Sequence, residues 1–142
     1  YAARGGNFAK TMLKLAQERD SLKVIDDQVG APTGADLLAD VTAHAIRTAM
    51  QRPEVAGLYH LTAGGQTSWH AYASFVIDCA RQAGVEIKVS PDAIQAVPTS
   101  AFPTVAKRPM NSRLDTTRFQ NAFNFKLSRY FRLKCPSNTR NP

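Results

Sequence analysis

An alternation constrains this chain most. Amphipathic helical stripes are separated by short apolar runs, and Gly, Pro or a capping residue stands at almost every boundary. Phe8, Met12, Leu15 and Ala16 recur at helical spacing behind Gly5-Gly6-Asn7. A helix from about Phe8 to Arg19, opened by Asn7 or Gly6, is expected there. Leu22 to Ile25 reads as a strand, and Asp26 to Pro32 as a loop held by Gly30 and Pro32. Thr33-Gly34-Ala35-Asp36 has the Thr-x-x-acid form of a capping box, so Thr33 is expected to open a second helix. Its stripe (Leu37, Leu38, Val41, Ala45, Ile46, Ala49) carries it to about Gln51, ahead of Pro53. Gly57 to Thr62 predicts a strand. Thr67 or Ser68 caps a third helix from Trp69 to about Ala83, with Gly84 at the position after its end. Val85 to Val89 alternates like a half-buried strand, and Asp115-Thr116-Thr117 caps a short helix carrying Phe119, Ala122 and Phe123. Helices and strands in this order indicate an α/β layer.

The 142 residues and 44% apolar content suffice for one core. Residues 1–125 are expected to form one α/β region, and 126–142 a basic, disordered tail. The net charge of +7 suggests nucleic acid until its placement is considered. Every acid lies at or before Asp115, where twelve basic groups face eleven acidic ones, a net of +1. A nucleic-acid binder needs a basic face on its folded part, so association with nucleic acid or an anionic surface through the tail is the weaker reading. No charged leader with an apolar run opens the chain, and no apolar stretch could span a bilayer. A cytoplasmic protein, without membrane contact, is expected. Cys79 and Cys135 give no disulfide framework, and Cys79 reads as a small buried apolar residue. His44, His60 and His70 are too widely spaced for a helical metal pair and read as structural or surface groups. Ser68 reads as a cap and Trp69 and Tyr72 as packing.

The residues that carry chemistry sit in two segments. Residues 90–112 are rich in Pro, Ser and Thr, and a long irregular stretch in a compact domain usually has a function. It ends in Arg108-Pro109-Met110-Asn111-Ser112-Arg113. Guanidinium forks suit phosphate oxygens, and Asn and Ser add neutral hydrogen bonds. Arg108 and Arg113 are therefore candidates for a diphosphate, with a surface arginine paired with Asp115 the other reading for either; Pro109, which fixes its loop, favours the first for Arg108. Asn111 and Ser112 either meet ribose or phosphate or satisfy backbone ahead of the Asp115 cap. Upstream, Gln28 either reads a base edge or sugar hydroxyl or belongs to an ordinary turn. Gly30 lets backbone approach a ligand, Thr33 is a cap whatever else it does, and Asn7 with the amides after it suits an anion or is an N-cap alone. The two segments together point to a nucleotide-sugar site.

Gly6-Asn7-Phe8, Val24-Ile25-Asp26-Asp27-Gln28-x-Gly30-x-Pro32-Thr33, Gly57-Leu58-Tyr59-His60-Leu61, Thr67-Ser68-Trp69 and Arg108-Pro109-x-Asn111-Ser112-x-Leu114-Asp115 occur in order. In this the chain resembles the dTDP-4-dehydrorhamnose reductases of the extended short-chain dehydrogenase/reductase group, from about Tyr1 to Phe123. The resemblance implies the C-terminal, substrate-binding part of a Rossmann-type enzyme whose N-terminal half is missing here. It implies NADPH-dependent reduction of the 4-keto group of dTDP-4-dehydro-L-rhamnose, giving dTDP-L-rhamnose for polysaccharide biosynthesis. NADPH and the catalytic Tyr-x-x-x-Lys pair would belong to the missing half, leaving no catalytic residue, no metal and no reductase activity in this one. A homodimer is compatible with it, and so is a nucleotide-sugar binding module without chemistry. From Lys126 on the chain departs from the family pattern.

Overall fold

The first stripe forms α1 (Phe8–Glu18), and the computed structural model describes residues 1–103, 105–106 and 108–127. Asn7 caps α1: its Oδ1 accepts from the Lys10 amide at 3.1 Å, pairing one of the amides that every helix start leaves open. Strand β1 (Leu22–Ile25) follows as expected. Strand β2 (Val29–Gly30) is a two-residue element inside the expected loop. Helix α2 (Ala35–Gln51) stops ahead of a 3-10 turn at Pro53–Val55. Strand β3 (Thr67–Ser68) pairs antiparallel with β2 and runs into α3 (Trp69–Gln82). Strand β4 (Ile94–Val97) lies parallel to β1, from Leu22 opposite Ile94 to Ile25 opposite Val97. A 3-10 turn at Thr99–Ala101 and helix α4 (Thr117–Phe123) complete the described elements.

The α/β layering is therefore present, with α1 and α3 packed together and α3 laid against the β1–β4 pair. Ala16, Leu22, Val24, Ala73, Ile77 and Val89 fill the space between. A second cluster joins α2 to α4 through Val41, Phe119, Phe123 and Leu127. Leu127 is 8% exposed, so packing continues past the expected limit at 125; residues 128–142 of the expected tail lie outside the described residues.

Two expected strands are not formed. Residues 85–89 form no ladder and are pinned at their end: the Lys88 and Val89 amides both donate to the Ala16 carbonyl at 3.0 Å, one of the four acceptors that α1 leaves open at its end. Val89 is buried all the same, so the alternation reported burial and not pairing. Strand β1 takes Ile94–Val97 instead, from the stretch expected to be irregular. Residues 57–62 keep a two-residue period, with Tyr59 and Leu61 half-buried and Leu58 and His60 exposed, yet they have no ladder partner among the described residues.

Thr33 is not the cap of α2. Gly34 stands at that position with no side-chain cap bond. The Thr33 hydroxyl donates to the Ala31 carbonyl at 2.8 Å and accepts from the Ala63 amide at 3.1 Å, so tertiary bonds have taken the group the helix could have used. At α3 the expectations hold. The Ser68 hydroxyl accepts from the Ala71 amide at 3.0 Å. At the other end Gly84, with φ +83°, and Val85 return their amides to the Arg81 and Ala80 carbonyls. Asp115 secures the start of α4, accepting from the Thr117 amide at 2.8 Å. Cys79 is half-buried on α3 and, contrary to expectation, is not a free thiol; Cys135 lies outside the described residues. No described helix is long and apolar enough to cross a membrane.

Candidate functional site

Strand β2 is the hinge of the site, because it is bonded on both sides. One side pairs with β3. On the other the Val29 amide donates to the Met110 carbonyl and the Ser112 amide to the Val29 carbonyl, both at 2.8 Å, a parallel bridge to the proline-braced loop. The early turn and the late loop, 82 residues apart at Val29 and Asn111, are thus neighbours. A cavity of about 180 Å³ opens between them, lined by Gln28 to Pro32, Thr67, Ser68, Trp69 and Ser112.

Of the expected site residues, Gln28, Gly30 and Ser112 line this cavity. Gly30 faces Ser112 closely: a Cβ there would meet the Ser112 Cβ at 3.7 Å, an ordinary contact. Asn111 and Arg113 flank Ser112 in the chain and are not in the lining. Asn111 Oδ1 accepts from both the Arg113 amide at 3.1 Å and Arg113 Nε at 2.9 Å, and Arg113 Nη1 donates to Gln66 Oε1. Asn111 therefore organises its own loop, and Arg113 pairs with amide oxygens rather than with Asp115. Arg108 is exposed and has no hydrogen-bond or ion-pair partner among the described residues. Thr33 fastens the loop beneath the cavity without lining it. Asn7 is not in the lining either; its Oδ1 caps α1 and its Nδ2 donates to the Ala2 carbonyl at 2.9 Å.

Several site residues escaped the sequence reading. Trp69 lines the cavity at 36% exposure, its ring 4.6 Å from that of Phe8, and Ser68 and Thr67 line it beside their roles at the start of α3. Asp26 accepts the Ser68 hydroxyl, and His70 places Nδ1 3.8 Å from Asp26 Oδ1 and Nε2 3.0 Å from the Ile94 carbonyl. Serine here meets a carboxylate and the imidazole meets backbone, so no histidine activates Ser68 as a nucleophile. Asp27 accepts the Thr99 amide on both oxygens, at 3.0 and 2.9 Å, and the Thr99 hydroxyl at 2.5 Å. The Thr99 hydroxyl and amide hold the Asp27 carboxyl below the usual carboxylate range. Thr117 does the same to Asp115, hydroxyl first and amide second. The only signal available for these residues was that Asp26, Asp27 and Thr67 to Trp69 flank or belong to the segments that carry the resemblance.

The cavity can orient a ligand through the hydroxyls of Thr67, Ser68 and Ser112 and the Gln28 carboxamide, beside the Trp69 indole. Among the described residues no group of three or more His, Cys, Asp or Glu could hold a metal ion.

The model of the RmlD substrate binding domain matches residues 1–136. The chain belongs to that family. It is 61% identical over 130 residues to the dTDP-4-dehydrorhamnose reductase of Salmonella typhimurium strain LT2, covering 92% of this chain and 43% of that protein. To the Escherichia coli K12 reductase it is 59% identical over 123 residues, 87% of this chain and 40% of the relative. A crystal structure of the Bacillus anthracis reductase in complex with NADP superposes with a TM-score of 0.76 at 28% identity, over 91% of this chain and 41% of that one. The RmlD-family chain thus spans less than half the length of these relatives. No Gly-x-Gly-x-x-Gly strand-to-helix turn, the usual seat of a dinucleotide pyrophosphate, occurs in the sequence.

Proposed function

We propose that this chain is the nucleotide-sugar-binding part of an NADPH-dependent dTDP-4-dehydrorhamnose reductase. The observation that carries the reading is the bridge at Val29, which seats the Arg108–Arg113 loop on the Gln28–Gly30 turn and makes one cleft of two distant segments. Arg108 and Arg113 bind the diphosphate, and Gln28, Gly30, Asn111 and Ser112 surround the rest of the ligand. Thr33 and Asn7 support the site from outside its lining. NADPH and the proton donor belong to a Rossmann half outside this chain, so what the residues here supply is position and electrostatics.

The other half has a natural seat. On α2 Ile46 and Met50 are 57% and 80% exposed, and Leu58 in the segment 57–62 is 81% exposed. A segment with strand alternation, no ladder partner among the described residues and an apolar flank suits addition to a sheet in the Rossmann half.

Titration calorimetry of the chain with dTDP tests binding; no heat up to millimolar ligand would refute the reading. The same chain, supplied with NADPH and dTDP-4-dehydrorhamnose, is expected to oxidise no NADPH. Measurable turnover would show that the chemistry does not reside elsewhere.

A further inference from the structure

Gln28 is only 6% exposed and lines the cavity. A carboxamide can offer a ligand either its oxygen or its NH2 group, and the protein's own bonds determine which. Asp27 is ionised at neutral pH, since its bonds from Thr99 lower its pKa. An ionised carboxylate only accepts, so the Thr99 hydroxyl gives its one hydrogen to Asp27, 2.5 Å away. That hydroxyl is then left as an acceptor. Gln28 must turn its NH2 group to it, and Nε2 lies 3.0 Å from Thr99 Oγ1. Gln28 Oε1 takes no hydrogen bond from any described residue, and it is not sealed away from solvent-accessible space.

We propose that Asp27 and Thr99 are positioning residues that lock the Gln28 carboxamide with its oxygen toward the cavity, so that the site selects a ring presenting an N–H donor. This rests on the nucleotide-sugar reading and deepens it. An imide base such as thymine offers N3–H at its pairing edge, whereas N3 of cytosine is an acceptor and would meet the Gln28 oxygen lone pair to lone pair. The relay runs from carboxylate to hydroxyl to amide, with each hydrogen fixed by the group before it. It needs no contact between Asp27 or Thr99 and the ligand.

The relay can be reversed without changing its shape. In D27N the new amide keeps an oxygen for the Thr99 N–H and turns its NH2 to the Thr99 hydroxyl. That hydroxyl then donates to Gln28, whose oxygen must swing inward and whose NH2 then faces the cavity. Calorimetric titration of the full chain with dTDP and with dCDP reads the outcome as a ratio of affinities. The wild-type chain is expected to favour dTDP. In D27N the ratio should fall by about tenfold or more, the scale of one hydrogen bond moved from one ligand to the other. T99V should lower it too, and T99S, which keeps the hydroxyl, should restore it. A loss of structural integrity would weaken both ligands alike and leave the ratio where it was. An unchanged ratio in folded D27N and T99V would overturn the proposal. If the wild-type chain binds neither nucleotide, it is the nucleotide-sugar reading that fails. The relay is then judged in the free protein from the Gln28 side-chain NH2 signals in 15N NMR. Slow exchange in wild type and T99S, lost in T99V, supports it; identical signals in all three overturn it.

Discussion

Asn111 shows how a single side chain sets up a binding loop. Its oxygen holds both the amide and the guanidinium of Arg113, while Gln66 takes the other end of the fork. Holding a long side chain in place before the ligand arrives saves about 0.5–1.5 kcal/mol of ordering entropy. N111A should therefore weaken dTDP binding by about that amount, and R108A or R113A by about 1.5–3 kcal/mol, the scale of a charge-assisted bond. Calorimetry that finds N111A equal to wild type would reduce Asn111 to a turn residue. Asp27 and Asp115 make a second prediction at this scale, since both have a folded pKa below the unfolded one. Their stabilisation is complete above the unfolded carboxylate value of about 4 and is lost as pH falls through the lowered values. The urea midpoint should drop below about pH 4, and D27N and D115N should flatten that drop. The Asp115 contact was legible in the chain, because a cap acts two residues away. The Asp27 contact was not, because Thr99 is 72 positions distant and nothing local marks it.

At the scale of elements, helices were more legible than strands. The stripes of α1, α2 and α3 and the stops at Pro53 and Gly84 could be read directly, because a helix closes its hydrogen bonds within itself. A strand needs a partner, and alternation does not say whether one will be there. Residues 85–89 have the pattern and spend their last amides on the end of α1, while Ile94–Val97, a poorer pattern, wins the place beside β1. Thr33 failed for a related reason: a capping signal is local, and the Ala63 amide claims its hydroxyl from 30 residues away. Gly84 is the element-level position most open to test. It has φ +83° and nothing within 4 Å of a Cβ built on it, so G84A adds backbone strain without a clash. Denaturant unfolding should register a loss of about 1–2 kcal/mol, the cost of a left-handed residue with a side chain. A neutral result would mean that the end of α3 relaxes.

For the molecule as a whole, the segment 57–62 and the exposed part of α2 matter most. The strand expected there has no ladder partner among the described residues, and Ile46 and Met50 leave part of the α2 stripe exposed while Leu37, Val41 and Ala45 pack in the second cluster. Co-expression with the N-terminal part of the Salmonella relative is expected to restore NADPH-dependent reduction, and a chain carrying M50K and L58D to restore far less. Equal rescue by both would place the second half elsewhere.

The seam at Val29 has a further consequence. Its two hydrogen bonds join peptide groups, so they do not run through the loop's side chains, although Asn111 braces the loop they hold. The side chains at 110 and 112 can be rewritten while the wall that presents them stays upright. Only a proline at 29 or 112, by deleting a donor, would unpick it.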